Sequence, residues 1–195
     1  MNINTLLSHI NQFVTMDAAE AEYLNSLLIT RPYRQGEIIV KAGEPARYLM
    51  YVNTGYVMTY FTDNDGDDHV IQFAAEGWWA GDLFSLSHQP NTQYTTRGMC
   101  DGELLLLPRL AQQQLFEDHI KIEHYFRVLF QNSVIRHQMR FVQSYATTAE
   151  QRYLAFVETY PAMEQYVPQK YIASYLGITP EFLSKIRKNM ARKAS

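Results

Sequence analysis

The sequence contains little of several residue types that define common classes of protein. Its 195 residues include one cysteine, Cys100, which excludes an internal disulfide and any zinc or iron–sulfur site with several cysteine ligands. No apolar run approaches the roughly 18 residues of a membrane span, and no basic stretch followed by an apolar core marks a secretory signal. We therefore expect a cytoplasmic protein without a membrane segment. Cys100 lies in a strand-like run, where we expect a small buried hydrophobic residue.

Residue patterns that carry catalysis or bind metals are also missing. There is no nucleophile motif such as Gly-x-Ser-x-Gly. Neither His69 nor His88 has a partner at metal-ligand spacing, so we expect both to be solvated or hydrogen-bonded. The adjacent Trp78 and Trp79 either line a ligand cavity or pack in the core. The sequence therefore predicts no enzyme, no catalytic residue, no metal site and no bound cofactor.

Net charge and its distribution lead to different expectations. The net charge of −3 at pH 7 by itself argues against a protein that binds nucleic acid. However, residues 168–195 contain six basic residues and one acidic residue, a balance of +5, whereas the remainder of the chain carries −8. A basic end on an acidic body predicts a focused contact between that end and a polyanion.

The C-terminal stretch QKYIASYLGITPEFLSKIRK, residues 169–188, is typical of two short helices that meet at a tight turn. Gly177 can turn without a Cβ penalty, Thr179 can cap the second helix, and Pro180 then occupies its first position. Apolar residues lie at helical spacing on both sides of the turn: Ile172, Leu176, Leu183, Ile186 and Met190. Because the polar face of the second helix is basic, the segment predicts a helix-turn-helix that binds double-stranded DNA rather than a solvated helical hairpin.

Glycine is concentrated in one region of the chain. Eight of the nine glycines lie between residues 31 and 108, where they separate short runs rich in Val, Ile, Tyr, Phe and Thr. The sequence DNDG at residues 63–66 predicts a β-hairpin whose strands cover residues 56–62 and 69–74. Many short strands with frequent turns predict a β sandwich or a jelly-roll barrel.

Helical spacing of apolar residues is found on both sides of the glycine-rich region. Before it, Asp17 and Glu20 have the spacing of a capping box that begins a helix. After it, residues 118–145 lack glycine and proline, and Asp118 can cap one long helix. The wide apolar face of this helix comprises Ile122, Tyr125, Phe126, Leu129, Phe130, Val134, Phe141 and Tyr145. Such a helix either pairs with a second copy or packs wholly on its own β-domain, and we predict pairing in a homodimer.

These patterns divide the chain into three parts. Residues 1–117 form the predicted β-roll sensor domain with its N-terminal helices, and residues 118–145 form the predicted dimerisation helix. Residues 146–195 form the predicted DNA-binding domain, whose first helix has a capping box in Thr147 and Glu150.

The order of a helical N-terminus, a glycine-rich β-region, a long helix and a C-terminal helix-turn-helix resembles the Crp/Fnr group of bacterial transcription regulators, the cyclic-AMP receptor protein family. The most specific match is VPQKYIASYLGITPEFLSKIRK at residues 167–188, and Gly81-Asp82-Leu83 looks like the Gly-Glu-Leu that opens the family's phosphate-binding cassette. The resemblance implies an α+β fold with an N-terminal β-roll (a jelly roll of the cyclic-nucleotide-binding type), a long dimerisation helix and a C-terminal helix-turn-helix. It also implies a homodimer that binds duplex DNA, with RNA polymerase as a candidate partner and an unidentified small-molecule effector.

The resemblance also assigns roles to individual residues. Glu181 and Lys185 match family positions that contact bases. The full predicted DNA-binding set is Lys170, Thr179, Glu181, Ser184, Lys185, Arg187 and Lys188, and the residues expected to touch phosphates or solvent are Lys170, Lys188, Arg192 and Lys193. The predicted ligand-binding set is Gly81, Asp82, Leu83, His137 and Gln138, of which the last two could equally lie in the dimer seam or on the surface.

One departure from the family concerns cyclic AMP. Members that bind a cyclic nucleotide carry an Arg-Ser or Arg-Thr pair about a dozen residues after the cassette opening, and the arginine pairs with the cyclic phosphate. Here residues 90–96 read PNTQYTT, and Arg97 would reach the matching position only with an insertion. Because a buried phosphate without a cation is unfavourable, we predict that cyclic AMP binds weakly or not at all.

A second class of function remains open beside the transcription regulator. The chain could be a ligand-binding or protein-interaction module whose terminal helices bind protein instead of DNA. The two functions differ in an observable way, because binding to duplex DNA weakens steeply as the salt concentration rises.

Overall fold

The computed structural model describes residues 3–194, with side chains as far as residue 192. Within that range the helices are α1 (Asn4–Ile10), α2 (Ala18–Leu27), α3 (Leu83–His88), α4 (Arg109–Asp118), α5 (Ile120–Ala146), α6 (Ala149–Thr159), α7 (Gln169–Leu176) and α8 (Pro180–Ala194), with a 3-10 turn at Met163–Gln165. The strands are β1 (Ile29–Tyr33), β2 (Ile38–Val40), β3 (Tyr48–Thr54), β4 (Tyr56–Thr62), β5 (Asp68–Ala75), β6 (Trp79–Ala80), β7 (Thr95–Gly98) and β8 (Gly102–Pro108). None of the described helices is both long enough and apolar enough to cross a membrane.

The strands form two four-stranded antiparallel sheets that pack face to face, which confirms the predicted α+β fold with a jelly-roll domain. The strand orders are β1-β8-β3-β6 in one sheet and β2-β7-β4-β5 in the other. The space between the sheets is filled by mainly apolar side chains: Tyr33, Ile39, Met50, Val52, Val57, Ala74, Ala80, Leu104 and Leu106. The predicted hairpin joins β4 to β5, with Gly66 at a φ of 89°, and β5 begins at Asp68, one residue earlier than expected.

The N-terminal helices and the first half of α5 cover the outer face of the β1-β8-β3-β6 sheet. Leu6, Leu24 and Phe126 are buried there against Leu49 and Leu105. The predicted capping box is confirmed, because the Asp17 carboxylate accepts a 2.9 Å hydrogen bond from the Glu20 N–H and the Glu20 carboxylate accepts one of 2.9 Å from the Asp17 N–H.

The long helix begins later than the sequence suggested. Asp118 does not cap it but is the last residue of α4, and α5 begins at Ile120 after His119, whose φ of −129° and ψ of 89° are not helical. The separate helix α4 forms because Gln112 and Leu115 are buried against the core. The predicted boundary at residue 118 therefore falls in the last turn of α4.

Two smaller sequence predictions also need correction. The capping box of α6 lies one residue further on than predicted, since Thr148, not Thr147, is the N-cap and Gln151 closes the box. Cys100 does not lie in a strand but in the bend between β7 and β8, where it is half-buried. Burial raises the pKa of its thiol, partly offset by a hydrogen bond with the Tyr56 backbone.

The C-terminal helices pack directly on β5, the edge strand of the second sheet. Phe73 of β5 is fully buried against Phe156 of α6, Tyr160 just after that helix and Tyr175 of α7. The Ser174 hydroxyl accepts a 3.0 Å hydrogen bond from the Val70 N–H and donates one of 3.0 Å to the Asp68 carbonyl. Because an edge strand leaves backbone groups without a neighbouring strand, α7 provides part of the missing pairing.

Replacing Ser174 with alanine is expected to lower the free energy of unfolding by about 1–3 kcal/mol, because the buried N–H of Val70 would lose its partner. Urea titration followed by circular dichroism would measure this change. Ser26→Ala is the matched control, since the exposed Ser26 hydroxyl bonds to the Tyr23 carbonyl of its own helix and its loss should cost less than about 0.5 kcal/mol. Equal effects of the two substitutions would contradict the role of Ser174.

Candidate nucleic-acid interface and effector cavity

The helix-turn-helix has the geometry that the sequence predicts. Gly177 ends α7 with a left-handed φ of 66°, and the Thr179 hydroxyl accepts a 3.2 Å hydrogen bond from the Phe182 N–H at the start of α8. Ala173 is fully buried where the two helices cross. The predicted apolar stripe is also confirmed, because Ile172, Leu176, Leu183 and Ile186 are buried in one core with Met190 packed against it.

The opposite face of α8 is polar and accessible. Glu181, Lys185 and Lys188 are exposed, and Ser184 is half-buried between them. On α7 the exposed Lys170 places its Nζ 4.6 Å from the centre of the Tyr171 ring. The side chain of Lys193 lies outside the described side chains. The structure thus brings most of the predicted DNA-binding set onto one accessible surface.

The Glu181 carboxylate is held in its charged form. Its pKa lies below the ordinary value of a glutamate because it accepts hydrogen bonds from its own backbone N–H and from the Thr179 hydroxyl, with a smaller contribution from the charge of Lys185. A carboxylate in the first turn of a helix is also favoured by the helix dipole. At neutral pH Glu181 is therefore a hydrogen-bond acceptor at the accessible end of α8.

Arg187, like Thr179, has a partner within the protein. Its Nε lies 3.6 Å from Oε1 of Glu164, and the Tyr153 hydroxyl donates a 2.6 Å hydrogen bond to the same oxygen. Burial raises the pKa of Tyr153 to about 12, with a further contribution from Glu164, so that this hydroxyl stays protonated. Arg187 thereby ties α8 to the 3-10 turn and to α6.

Arg97, the arginine nearest in sequence to the position where the family carries its phosphate-binding arginine, points to α7 instead. Its guanidinium donates a 2.8 Å hydrogen bond to the Tyr60 hydroxyl and one of 3.3 Å to the Tyr171 hydroxyl of α7. Asp82, in the segment that resembles the cassette opening, also has hydrogen-bond partners within the protein. The Asp82 carboxylate caps α3 by accepting from the Phe84 and Ser85 N–H groups, and it accepts a 2.7 Å hydrogen bond from the Thr92 hydroxyl.

Helix α5 has two apolar faces rather than one. Toward the protein, Phe126 and Tyr125 are buried, and the Phe126 ring lies 5.1 Å from that of Trp79. The other face is exposed and contains Val134, Ile135, Met139, Phe141, Val142 and Tyr145. Gln138 is exposed and lies at helical spacing from Val134 and Val142, within this second face.

A cavity of about 300 Å³ lies between β5, the segment Gly77–Leu83, α5 and the C-terminal helices. Three residues of the predicted ligand set line it, namely Gly81, Leu83 and His137, whereas Asp82 and Gln138 do not. Both tryptophans contribute to its wall. Desolvation lowers the pKa of His137, with further lowering by Arg140 and Arg136, so that its imidazole is neutral at pH 7. Sequence reasoning thus found part of this cavity's lining.

Comparison with known proteins agrees with this architecture. Residues 30–119 match the family model described as "Cyclic nucleotide-binding domain". The chain is 24% identical to Electron transport regulator A of Shewanella oneidensis over 187 residues, which cover 88% of this chain and 73% of that protein. The fold is that of FixK2 from Bradyrhizobium japonicum (TM-score 0.71, 20% identity, 86% of each chain). It is also that of the c-di-GMP responsive global regulator CLP of Xanthomonas campestris (TM-score 0.69, 19% identity, 91% of this chain and 93% of the other). The fold of the chain is thus the one found in the Crp/Fnr family.

The histidines considered as metal ligands have other partners. His69 Nε2 lies 2.6 Å from Oδ2 of Asp63, and the His88 ring stacks on Phe84 at 4.8 Å. In the part of the chain that the structure describes, no three His, Cys, Asp or Glu side chains form a group able to hold a metal ion.

Several residues that matter for the site were not found by sequence reasoning. Arg136 and Arg140 of α5 line the cavity, and Tyr171, Ser174 and Tyr175 of α7 join the helix-turn-helix to the β-roll or to the cavity. Only the helical spacing of Arg136 and Arg140, four residues apart, could have suggested that they act on one face.

Proposed function

We propose that the protein is a homodimeric transcription regulator that binds specific sequences of double-stranded DNA. The observation that carries this proposal is the capped helix α8, which buries its apolar stripe and exposes Glu181, Lys185 and Lys188 together. In a helix-turn-helix the beginning of the second helix enters the major groove, where Glu181 and Lys185 would meet base edges. Lys170, Thr179, Ser184 and Arg187 complete the proposed interface, Thr179 and Arg187 by positioning α8.

The exposed apolar face of α5 supports the homodimer. Six large apolar side chains between Val134 and Tyr145 are each more than half exposed in the single chain. Large contiguous apolar patches are uncommon on the surface of a monomer and mark interaction sites. The Crp/Fnr architecture favours a second copy of α5 as the occupant. We therefore propose a division into three parts, with α5 (Ile120–Ala146) between the sensor domain and the DNA-binding domain.

The main test of this function is selection of bound sequences from random duplexes with the purified protein, followed by binding at increasing salt. Enrichment of a two-fold symmetric site, with half-sites about 34 Å apart, is expected for a dimer that presents two copies of α8. Affinity should fall steeply with salt because lysines and arginines displace counterions from the phosphates. Absence of any enriched sequence, together with a salt-insensitive protein partner, would support the protein-interaction module instead.

Cyclic AMP is expected to bind weakly or not at all. The space between the sheets is filled by mainly apolar side chains, Asp82 is occupied as a helix cap, and Arg97 bonds to Tyr60 and Tyr171. Arg97, the arginine nearest in sequence to the position of the family's phosphate-binding arginine, is thus not free to balance a buried phosphate. Calorimetric titration with cyclic AMP and cyclic GMP measures this directly, and a dissociation constant in the low micromolar range would contradict it.

The location, the further partner and the effector that we propose follow from DNA as the main partner. A regulator of transcription acts where the DNA is, so we propose a cytoplasmic protein with RNA polymerase as a candidate partner and no catalytic role. Its effector would bind the cavity beside α5, which Gly81, Leu83 and His137 line.

A further inference from the structure

The cavity between the β-roll and the C-terminal helices has an unbalanced charge. Two arginines, Arg136 and Arg140, lie in its wall, and no aspartate or glutamate does. Neither arginine forms an ion pair with a side chain in the described part of the protein. Arginine stays protonated at any physiological pH, so the residues that line the cavity carry two positive charges and no negative charge.

Aromatic rings hold both guanidinium groups in place. The central guanidinium carbon of Arg136 lies 4.2 Å from the centre of the Trp78 ring, and that of Arg140 lies 4.5 Å from the centre of the Tyr175 ring. Arg140 also donates a 2.6 Å hydrogen bond to the Ile71 carbonyl on the edge of β5. No hydrogen bond of the Arg136 guanidinium is found among residues 3–194, so its N–H groups remain available to an acceptor.

The rest of the wall is suited to a flat apolar group. Phe73, Trp78, Trp79, Phe130 and Tyr160 contribute aromatic rings, and Leu49 and Leu129 contribute aliphatic surface. A volume of about 300 Å³ lies at the lower end of the range for small-molecule pockets, roughly 300–1,000 Å³. A ligand of one or two rings is therefore the size that fits.

We propose that this cavity binds a small aromatic carboxylate, whose carboxylate pairs with Arg136 and whose ring packs against the tryptophan side of the wall. Arginine favours this chemistry because its planar fork of donors matches the two oxygens of a carboxylate. The assignment of this ligand as an effector rests on the proposed function, whereas the binding itself does not.

The position of the cavity connects such a ligand to the DNA-binding half. Its wall combines β5, α5, Tyr160 at the end of α6 and Tyr175 of α7. Arg140 touches both the edge of β5 and the ring of Tyr175. A carboxylate bound beside Arg136 thus lies one helical turn from the contact that joins sensor and helix-turn-helix.

The chain contains a built-in probe for this binding, because its only two tryptophans, Trp78 and Trp79, both line the cavity. Tryptophan fluorescence of the full chain is titrated with benzoate, phenylacetate, neutral benzamide, cationic benzylamine and cyclic AMP at constant ionic strength. A saturable change is expected with at least one of the two carboxylates, with benzamide and benzylamine at least tenfold weaker. No saturable change with either carboxylate, equal binding of benzamide, or tighter binding of cyclic AMP would overturn the proposal.

Substitution of the arginine gives the second arm of the test. Arg136→Gln is expected to weaken carboxylate binding by about ten- to a hundred-fold, because a charge-assisted contact is lost. Arg127→Gln is the matched control on the same helix, since Arg127 lies near Glu123 and outside this cavity, and it should leave binding unchanged. Equal affinity of the Arg136→Gln protein and the unmodified protein would overturn the proposal. The comparison of benzoate with benzamide uses the unmodified protein, so it does not depend on how the variants fold.

A second measurement on the same protein distinguishes failure of this ligand proposal from failure of the proposed function. Binding of the selected duplex is measured by fluorescence anisotropy without any aromatic acid. Duplex binding without carboxylate binding contradicts only the ligand proposal. Carboxylate binding without any specific duplex supports the cavity as a ligand site and contradicts the transcription regulator.

Discussion

Replacing Glu181 with alanine is expected to abolish the preference for one base pair in each half-site while DNA binding itself survives. The ionised carboxylate at the accessible end of α8 can accept a hydrogen bond from a cytosine amino group. Its loss should cost about 1–3 kcal/mol on the preferred sequence and less on sequences substituted at that pair. Competition binding against a set of singly substituted duplexes gives the rank order of their affinities, which shows whether Glu181 reads a base pair.

Lys185→Ala should have the corresponding effect at a different base pair, because its ammonium group can donate to guanine O6 and N7. Lys188→Ala is the control on the same helix. It should weaken all duplexes alike, or have no effect, and flatten the salt dependence by about one if Lys188 contacts a phosphate. If neither Glu181→Ala nor Lys185→Ala changes the rank order of the duplexes, the two residues do not read bases.

The second large effect is expected at the exposed face of α5. Val142 is 60% exposed in the single chain and lies in the middle of that apolar face. Val142→Asp would place an unpaired carboxylate from each copy in the proposed dimer interface. Burial of two such groups costs about 2–6 kcal/mol, which raises the dimer dissociation constant about thirty-fold or more. Sedimentation velocity over a range of protein concentrations measures the shift.

Ser144→Asp is the matched control for this experiment. Ser144 is exposed two residues further along the same helix, and the helical rotation places it away from the apolar face, so the same added charge should leave the dimer intact. Duplex affinity should fall with Val142→Asp and not with Ser144→Asp, since two linked copies of α8 bind a symmetric site more tightly than one. A monomer in the unmodified protein at micromolar concentration would contradict the dimer itself.

Features that depend on neighbouring residues could be predicted from the sequence alone. The turn at Gly177, the cap at Thr179 and the capping box of Asp17 with Glu20 all have the predicted partners. Each of these contacts joins residues at most four positions apart, so the types and spacing of the residues determine them. The alternation of short strands and glycine turns likewise predicted the jelly roll. The correction from Thr147 to Thr148 shows the limit of this approach. Two adjacent threonines offer the same cap, but the Thr147 hydroxyl donates a 2.7 Å hydrogen bond to the Gln143 carbonyl at the end of α5.

The division of α5 into two faces was decided only by the tertiary structure. Sequence spacing grouped Phe126 and Phe141 on one apolar face, yet Phe126 is 2% exposed against Trp79 and Phe141 is 66% exposed. An apolar residue at helical spacing carries no information about which surface it meets, because both surfaces select the same residue types. The contact of Phe126 with Trp79 depends on how the sheets and α5 come together, which spacing along the chain does not encode.

The contacts of the arginine side chains are the other feature that only the tertiary structure decided. Arg97 pairs with Tyr60 and Tyr171, and Arg136 stacks on Trp78, 58 residues away in the sequence. The sequence by itself determined the helix-turn-helix, its cap and the lack of an arginine at residues 90–96, where members of the family that bind a cyclic nucleotide carry one. The tertiary structure determined that the available cations lie beside α5 instead, because a long flexible side chain takes its position from the rings and carbonyls that packing brings within its reach.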